Sequence, residues 1–278
     1  MSPWIEGVCF LFVPGDRPER FDKSAAGADA VIVDLEASVH PERKDDARGN
    51  ASRWLRERAE TFRLVRINGV ATEWLERDAR MLRDAFVDGI LLPMVEGPAD
   101  VRLALGQLRD AMPLIPMIEN AAGVQNAAAI AQCDGVARLA FGNMDYQTQT
   151  GTAGDAAMIY PSSAIVVASG AVGLPAPLSG VTAAFRDRGR LDADIMFERA
   201  LGFGGKLCIH PDQIGPIVDG FLPDPALLDW AERVLSASAN SYAVEVDGEL
   251  VDRLVIERTR RILARGRRGN TPGPDRRG

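Results

Sequence analysis

Glu36, Arg66, Asn68, Glu119, Asp145 and His210 share one feature: each closes or directly follows a short apolar run. The runs read Val33-Asp34-Leu35-Glu36, Val65-Arg66-Ile67-Asn68, Pro116-Met117-Ile118-Glu119, Phe141-Gly142-Asn143-Met144-Asp145 and Lys206-Leu207-Cys208-Ile209-His210. A carboxylate or guanidinium at the end of a buried strand is costly unless a ligand, a metal or an opposite charge meets it. Glu119 and Asp145 are therefore a candidate metal pair. Two protein oxygens, with water and substrate completing an octahedron, is the pattern of Mg²⁺. The alternative is a structural carboxylate bonded to backbone amides or to Arg66. Arg66 suits bidentate recognition of a substrate carboxylate, with a strand-end ion pair to Glu36 as its other reading. His210, followed by Pro211, reads as a turn residue before it reads as a base, and His40 as surface. The run Gly202-Phe203-Gly204-Gly205-Lys206 lacks the spacing of a phosphate loop, because Ala200 stands at the required first glycine and Leu207 follows the lysine. Arg17 and Arg20 fit either phosphates at a site mouth or solvent.

These residues need a scaffold that brings many strand ends to one face. Apolar runs rich in Val, Ile, Leu and Phe occur at 8–13, 30–35, 64–67, 89–92, 114–118, 137–141, more weakly at 178–181, and at 207–209. Each is followed by an Ala-, Arg- and Glu-rich stretch with helical spacing. Strands without polar alternation suit a parallel sheet buried on both faces. Eight such units predict an α/β fold, a (β/α)₈ TIM barrel whose strand ends open onto the face where active sites form. An open doubly wound sheet is the rival, and the first strand's turn, Val13-Pro14-Gly15-Asp16, lacks its Gly-x-Gly-x-x-Gly. The barrel is expected over residues 1–223. Residues 224–265 form a C-terminal helical appendage, a helix, a hairpin around Asp247-Gly248 and a last helix, expected to cap the barrel mouth or cross to a neighbouring subunit. Residues 266–278, with no apolar anchor, are expected to be a disordered tail.

Composition narrows the class. The chain has 278 residues with 32 Lys+Arg against 39 Asp+Glu, a net charge of −7. That acidity argues against a nucleic-acid partner, though not against a small anion in a local basic pocket. No apolar stretch reaches the roughly 18 residues of a membrane span. The N-terminal residues lack the features of a secretory signal. The three cysteines, Cys9, Cys133 and Cys208, are far apart, as in a protein of the reducing cytoplasm.

Taken together the motifs resemble the citrate lyase β-subunit-like family of the phosphoenolpyruvate/pyruvate barrel superfamily, which includes malyl-CoA and citramalyl-CoA lyases. The resemblance runs from about Phe10 to Leu263. It rests on Leu11-Phe12-Val13-Pro14-Gly15-Asp16, Asp34-Leu35-Glu36, Val65-Arg66-Ile67-Asn68, Ile118-Glu119, Phe141-Gly142-x-x-Asp145 and Gly205-Lys206-x-x-Ile209-His210-Pro211-x-Gln213. It implies a (β/α)₈ barrel with Mg²⁺ on Glu119 and Asp145, a 2-oxo acid carboxylate on Arg66, and a homotrimer or hexamer. Asp247-Gly248-x-Leu250-Val251-Asp252 looks like the lid of the CoA-dependent members, in which the aspartate matching Asp252 reaches the active site of an adjacent subunit as acid/base. The other reading of Asp252 is a surface residue at a helix N-terminus.

The expected activity is Mg²⁺-dependent cleavage of a carboxylated 3-hydroxyacyl-CoA to a 2-oxo acid and an acyl-CoA. Arg66, Glu119, Glu36 and the segment Gly142, Asn143, Met144 would bind substrate. A β-type subunit acting on a carrier-protein thioester and a non-catalytic 2-oxo-acid-binding relative are the alternatives. The chain departs from the family pattern at Ala37, where relatives have aspartate, at Met94, where they have lysine, at Gly7-Val8 and in Tyr160-Pro161-Ser162-Ser163-Ala164. These departures leave the proposed metal and carboxylate positions intact and put the acyl portion of the substrate in question.

Overall fold

A computed structural model describes residues 3–23, 27–57, 59–108, 112–238 and 243–269. The chain divides into two compact units, residues 1–217 and 218–278.

The first unit is a closed eight-stranded parallel barrel, as the apolar runs predict. Its strands are β1 (Cys9–Pro14), β2 (Ala30–Asp34), β3 (Phe62–Arg66), β4 (Gly89–Leu92), β5 (Leu114–Ile118), β6 (Ala140–Phe141), β7 (Leu178–Ser179) and β8 (Gly205–Cys208). Each pairs in parallel with the next, and β8 closes on β1. Helices occupy the crossovers: α1 (Lys44–Trp54), α2 (Leu75–Leu82), α3 (Pro98–Gln107), α4 (Ala121–Ala131), α5 (Asn143–Thr150), α6 (Asp155–Ala171) and α7 (Arg188–Leu201), with α8 (Ile214–Phe221) after the last strand. Phe10, Ile32, Leu64, Leu91, Ile115, Met117, Ala140, Leu178 and Leu207, drawn from all eight strands, form one buried cluster. This is the packed interior expected of such a barrel.

The strand N-termini are plugged. Trp4 is buried with this cluster, and Gly89 makes room for it, since a Cβ there would lie 2.5 Å from the indole. The guanidinium of Arg138, also buried, donates to the carbonyls of Ile5 at 2.9 Å, Gly7 at 2.7 Å and Ala176 at 2.7 Å. Ligands must therefore enter from the other end.

The observed strands differ from the apolar runs in extent. The sixth run, 137–141, is a strand only over Ala140–Phe141, although Ala137 still donates to the Leu114 carbonyl at 2.8 Å. The seventh stops after Ser179, where the next residue, Gly180, lies so close to Asn143 that a Cβ would fall 1.9 Å from its Oδ1. The eighth starts two residues earlier than its run, because Gly205 packs against the backbone of Val8.

The second unit contains α9 (Pro225–Ala237), a hairpin of β9 (Val244–Val246) and β10 (Glu249–Val251), and α10 (Arg253–Gly269). Asp247 (φ 54°) and Gly248 (φ 82°) form the two-residue turn, the left-handed pair that a tight hairpin requires. Val234, Val246, Val251 and Ile256 make this unit's own small core. The expected disordered tail starts too early: residues 266–269 continue α10. Gly266 permits that helix to approach α9 closely, since a Cβ there would lie 2.3 Å from Leu228 Cδ2. The remaining residues assigned to the tail, 270–278, lie outside the described residues. No described helix is long and apolar enough to cross a membrane.

Candidate functional site

The ends of β2 and β3 form a charge-paired cluster. Strand register places Asp34 directly opposite Arg66. Arg66 Nε donates to Asp34 Oδ1 and Nη2 to Oδ2, both at 2.7 Å, while Nη1 stands 3.4 Å from Glu36 Oε2. The guanidinium also lies over the Phe12 ring, 4.5 Å from its centroid. Burial opposes the charge on Arg66, but Asp34 outweighs it and holds the group protonated. Burial likewise opposes ionisation of Asp34, and here Arg66 wins, keeping that carboxyl below its ordinary range. The amides of Glu36 and Ser38 donate to the same carboxylate, each at 2.9 Å. Glu36 is pushed up by burial, against the pull of Arg66.

The strand-end ion pair expected of Arg66 is present, with Asp34 as its closer partner and Glu36 as the looser one. The side edge of its fork is taken by Asp34, while Nη1 has only the longer contact with Glu36. Asp34, the last residue of β2, is the partner of Arg66 that the apolar runs do not single out. Its signal was an aspartate inside an otherwise apolar run.

The ends of β5 and β6 are different. Glu119, 2% exposed, accepts a hydrogen bond at Oε1 from the Met94 amide. That amide is presented by a left-handed residue (φ 56°), a conformation that costs a non-glycine residue free energy. Glu119 Oε2 is buried and has no hydrogen-bond partner among the described residues. Burial pushes the Glu119 carboxyl up to about 8, with Asp145 and Glu36 adding to the shift and Met94 and Arg66 opposing it. Ile118 pairs with Phe141 across the strands, which sets Glu119 beside Gly142. A Cβ on Gly142 would fall 2.3 Å from Glu119 Oε2, so only glycine leaves this space open.

Gly142 is the N-cap of α5, whose first turn carries Asn143, Met144 and Asp145. Asn143 donates to the Val181 carbonyl at 3.1 Å, and its own buried Oδ1 has no partner among the described residues. Met144 and Asp145 are exposed. A helix N-terminus with free amides favours anions.

An orphaned carboxylate oxygen, a second carboxylate that raises its pKa and hard oxygen donors fit Mg²⁺ held by Glu119 and Asp145. Among the described residues no cluster of three or more His, Cys, Asp or Glu could hold a metal. A site here would depend on water and substrate for its other ligands, which is normal for Mg²⁺.

The remaining candidates make the following contacts. His210 Nδ1 accepts from the Asp212 amide at 3.2 Å, and its ring stacks on Phe185, the turn role expected. His40 is exposed beside Glu42. Lys206 is fully buried, donating to Glu198 at 2.6 Å and the Gly180 carbonyl at 2.7 Å, so the glycine-rich run preceding it is no phosphate loop. Arg17 is exposed next to Asp16. In the second unit, Asp252 is exposed and caps α10, accepting from the Val255 amide at 3.0 Å.

Known proteins match this architecture. The model of the HpcH/HpaI aldolase/citrate lyase family matches residues 9–211. The chain belongs to the HpcH/HpaI aldolase/citrate lyase family. It is 34% identical over 270 residues to a (3S)-malyl-CoA thioesterase of Cereibacter sphaeroides, covering 92% of this chain and 93% of that protein. It is 35% identical to a citrate lyase subunit beta-like protein of Mycobacterium tuberculosis, covering 93% and 95% of the two chains. Among solved structures, the CitE protein of M. tuberculosis in complex with magnesium, acetoacetate and coenzyme A aligns with a TM-score of 0.80 at 31% identity, over 94% of this chain and 98% of that one. The fold expectation therefore stands on both topology and relatives, and as a member of this family the chain is an enzyme.

Proposed function

We propose that this enzyme is a Mg²⁺-dependent carbon–carbon lyase that cleaves a carboxylated 3-hydroxyacyl-CoA, of the malyl-CoA or citramalyl-CoA kind, to a 2-oxo acid and an acyl-CoA. The observation that carries the reading is the Glu119 carboxylate, buried and half-satisfied, within electrostatic reach of a guanidinium whose Nη1 has only the longer contact with Glu36. The names of relatives support it. A mitochondrial citramalyl-CoA lyase of Rattus norvegicus is 28% identical over 286 residues, covering 91% of this chain and 84% of that protein. The CitE structure contains magnesium and coenzyme A.

In this reading Glu119 and Asp145 would hold Mg²⁺, which would supply Lewis-acid chemistry toward the substrate's oxygens. Arg66 takes the substrate carboxylate end-on and, fixed by Asp34, orients the bond that breaks. The amides at Gly142, Asn143 and Met144 hold the forming oxo acid, with Glu36 beside it. As the hydroxyl proton passes to solvent water, the electron pair of the carbon–carbon bond passes to the α-carbon of the thioester, leaving its enolate. Asp252 of a neighbouring copy in a cytoplasmic homotrimer or hexamer then protonates that carbon.

The relatives named thioesterase support a second reading, hydrolysis of the thioester by the same site. One experiment separates them. Malyl-CoA and citramalyl-CoA are incubated with enzyme and Mg²⁺, and 2-oxo acid and free thiol are followed together. Release of oxo acid with the thioester intact supports the lyase. Free CoA without oxo acid overturns it in favour of hydrolysis. Asp252→Asn preserves the helix cap, since asparagine caps as well as aspartate. That variant should lower kcat by about 10²- to 10⁴-fold with oxo-acid binding unchanged, and an unchanged kcat would remove Asp252 from the mechanism.

A further inference from the structure

Lys44 is 5% exposed although it stands in the first turn of α1. Its ammonium has three hydrogens and makes three hydrogen bonds: to the Leu35 carbonyl at 2.7 Å, the Glu36 carbonyl at 2.8 Å and Asn68 Oδ1 at 2.7 Å. The Trp74 ring closes the remaining side, 5.0 Å from Nζ to its centroid. Leu35 and Glu36 lie just past the end of β2, and Asn68 two residues past the end of β3. Asn68 is held in turn. Its amide and Nδ2 donate to Asp78 Oδ2 at 2.9 and 2.6 Å, and Arg48 donates to Asp78 Oδ1 at 3.0 Å.

We propose that Lys44 is a positioning residue for carboxylate recognition, its buried ammonium tying the turns after β2 and β3 so that Glu36 keeps its 3.4 Å distance from Arg66 Nη1 and does not close down on the guanidinium. The inference rests on the reading of Arg66 as the oxo-acid anchor given above. Three features separate this role from generic packing. All three acceptors belong to the two turns that flank the Asp34–Arg66 pair. No bond to Glu119 or Asp145 is involved. The charge also matters locally: Asp34 and Glu36 carry two negative charges against Arg66 alone, and Lys44 restores balance before a substrate carboxylate arrives. Without that ammonium, the anion would enter a cluster with surplus negative charge, beside a turn no longer tied to its neighbour.

The test is calorimetric binding of pyruvate and glyoxylate, with Mg²⁺ binding measured separately, on wild type, Lys44→Met and Lys44→Ala. The expected result is a rise of tenfold or more in the oxo-acid Kd of both variants, with the Mg²⁺ Kd changed less than twofold. Methylammonium added to Lys44→Ala should recover part of the lost affinity. Oxo-acid affinity equal to wild type, or an equal loss of Mg²⁺ affinity, overturns the positioning role. If these variants do not fold, Lys44→Arg carries the test. It keeps the charge, but a planar fork does not match three converging acceptors, and it is expected to weaken oxo-acid binding severalfold with Mg²⁺ binding unchanged. A wild-type protein that binds neither oxo acid overturns the underlying reading of Arg66, and this role with it. The same loss confined to the Lys44 variants overturns neither.

Discussion

Two halves of one barrel mouth treat their charges in opposite ways. At the ends of β2 and β3, Asp34 meets Arg66 through two 2.7 Å hydrogen bonds, accepts two further amides, and has Lys44 nearby to balance Glu36. At the ends of β5 and β6, Glu119 is as deeply buried as Asp34, yet one of its oxygens has no partner among the described residues. The first half is complete before any ligand arrives and so can act as a rigid anchor. The second, in the proposed reading, is completed by a cation, and without one its carboxyl holds its proton. Burying a charge is tolerable either when the protein supplies the counter-charge or when a ligand does. Here both solutions sit within a few strands of each other.

Removing one carboxylate from each half should therefore change stability with opposite sign. Asp34→Ala strands the Arg66 guanidinium, and loss of one partner of a buried ion pair costs about 3–5 kcal/mol. Glu119→Gln removes a carboxyl that burial disfavours, so the metal-free protein should be as stable as wild type or more so. Denaturant unfolding of both variants without metal checks this. Equal destabilisation would erase the distinction.

Arg66→Lys should weaken oxo-acid binding about 10- to 100-fold, since an ammonium cannot serve Asp34 side-on and a substrate end-on, while Mg²⁺ affinity stays close to wild type. Parallel titrations of the two ligands sharpen the separation of the halves. Gly142→Ala should do the reverse. Its Cβ would lie 2.3 Å from Glu119 Oε2, so Mg²⁺ binding should fall sharply, with a stability loss of about 1–3 kcal/mol from overpacking.

The smallest expected effect is one of pH. The unfolded chain releases the Glu119 proton near 4.5, whereas the folded metal-free protein holds it up to about 8. This contribution to stability is full below the lower value and lost as pH rises through the upper one. Saturating Mg²⁺, which binds the ionised form, should cancel that decline. Melting curves between those pH values, with and without Mg²⁺, read the difference. It should vanish in Glu119→Gln.

The barrel was legible because strands buried on both faces leave long apolar runs, and eight of them spaced by helices admit few folds. Arg66, Glu119 and Asp145 were legible for a related reason: a charge at the end of such a run is conspicuous. Asp34 was hidden because it lies inside its run, and only strand register shows that it faces Arg66. Lys44 was hidden differently. Lysines at the start of a helix are usually solvated, and nothing local distinguishes one whose ammonium finds three acceptors on two other elements. The looser Nη1 contact of Arg66 and the orphaned oxygen of Glu119 depend on side-chain direction, which hydrophobic periodicity does not encode.

The central claim is that Glu119 is one carboxylate of a cation site, and Mg²⁺ titration into the metal-free protein near neutral pH tests it most directly. Calorimetry in two buffers of different ionisation enthalpy gives both affinity and proton count. The account predicts that wild type binds Mg²⁺ and releases up to about one proton as the ion displaces it from Glu119, and that Glu119→Gln binds none. Equal Mg²⁺ affinity in the two proteins, with no proton released, would contradict it.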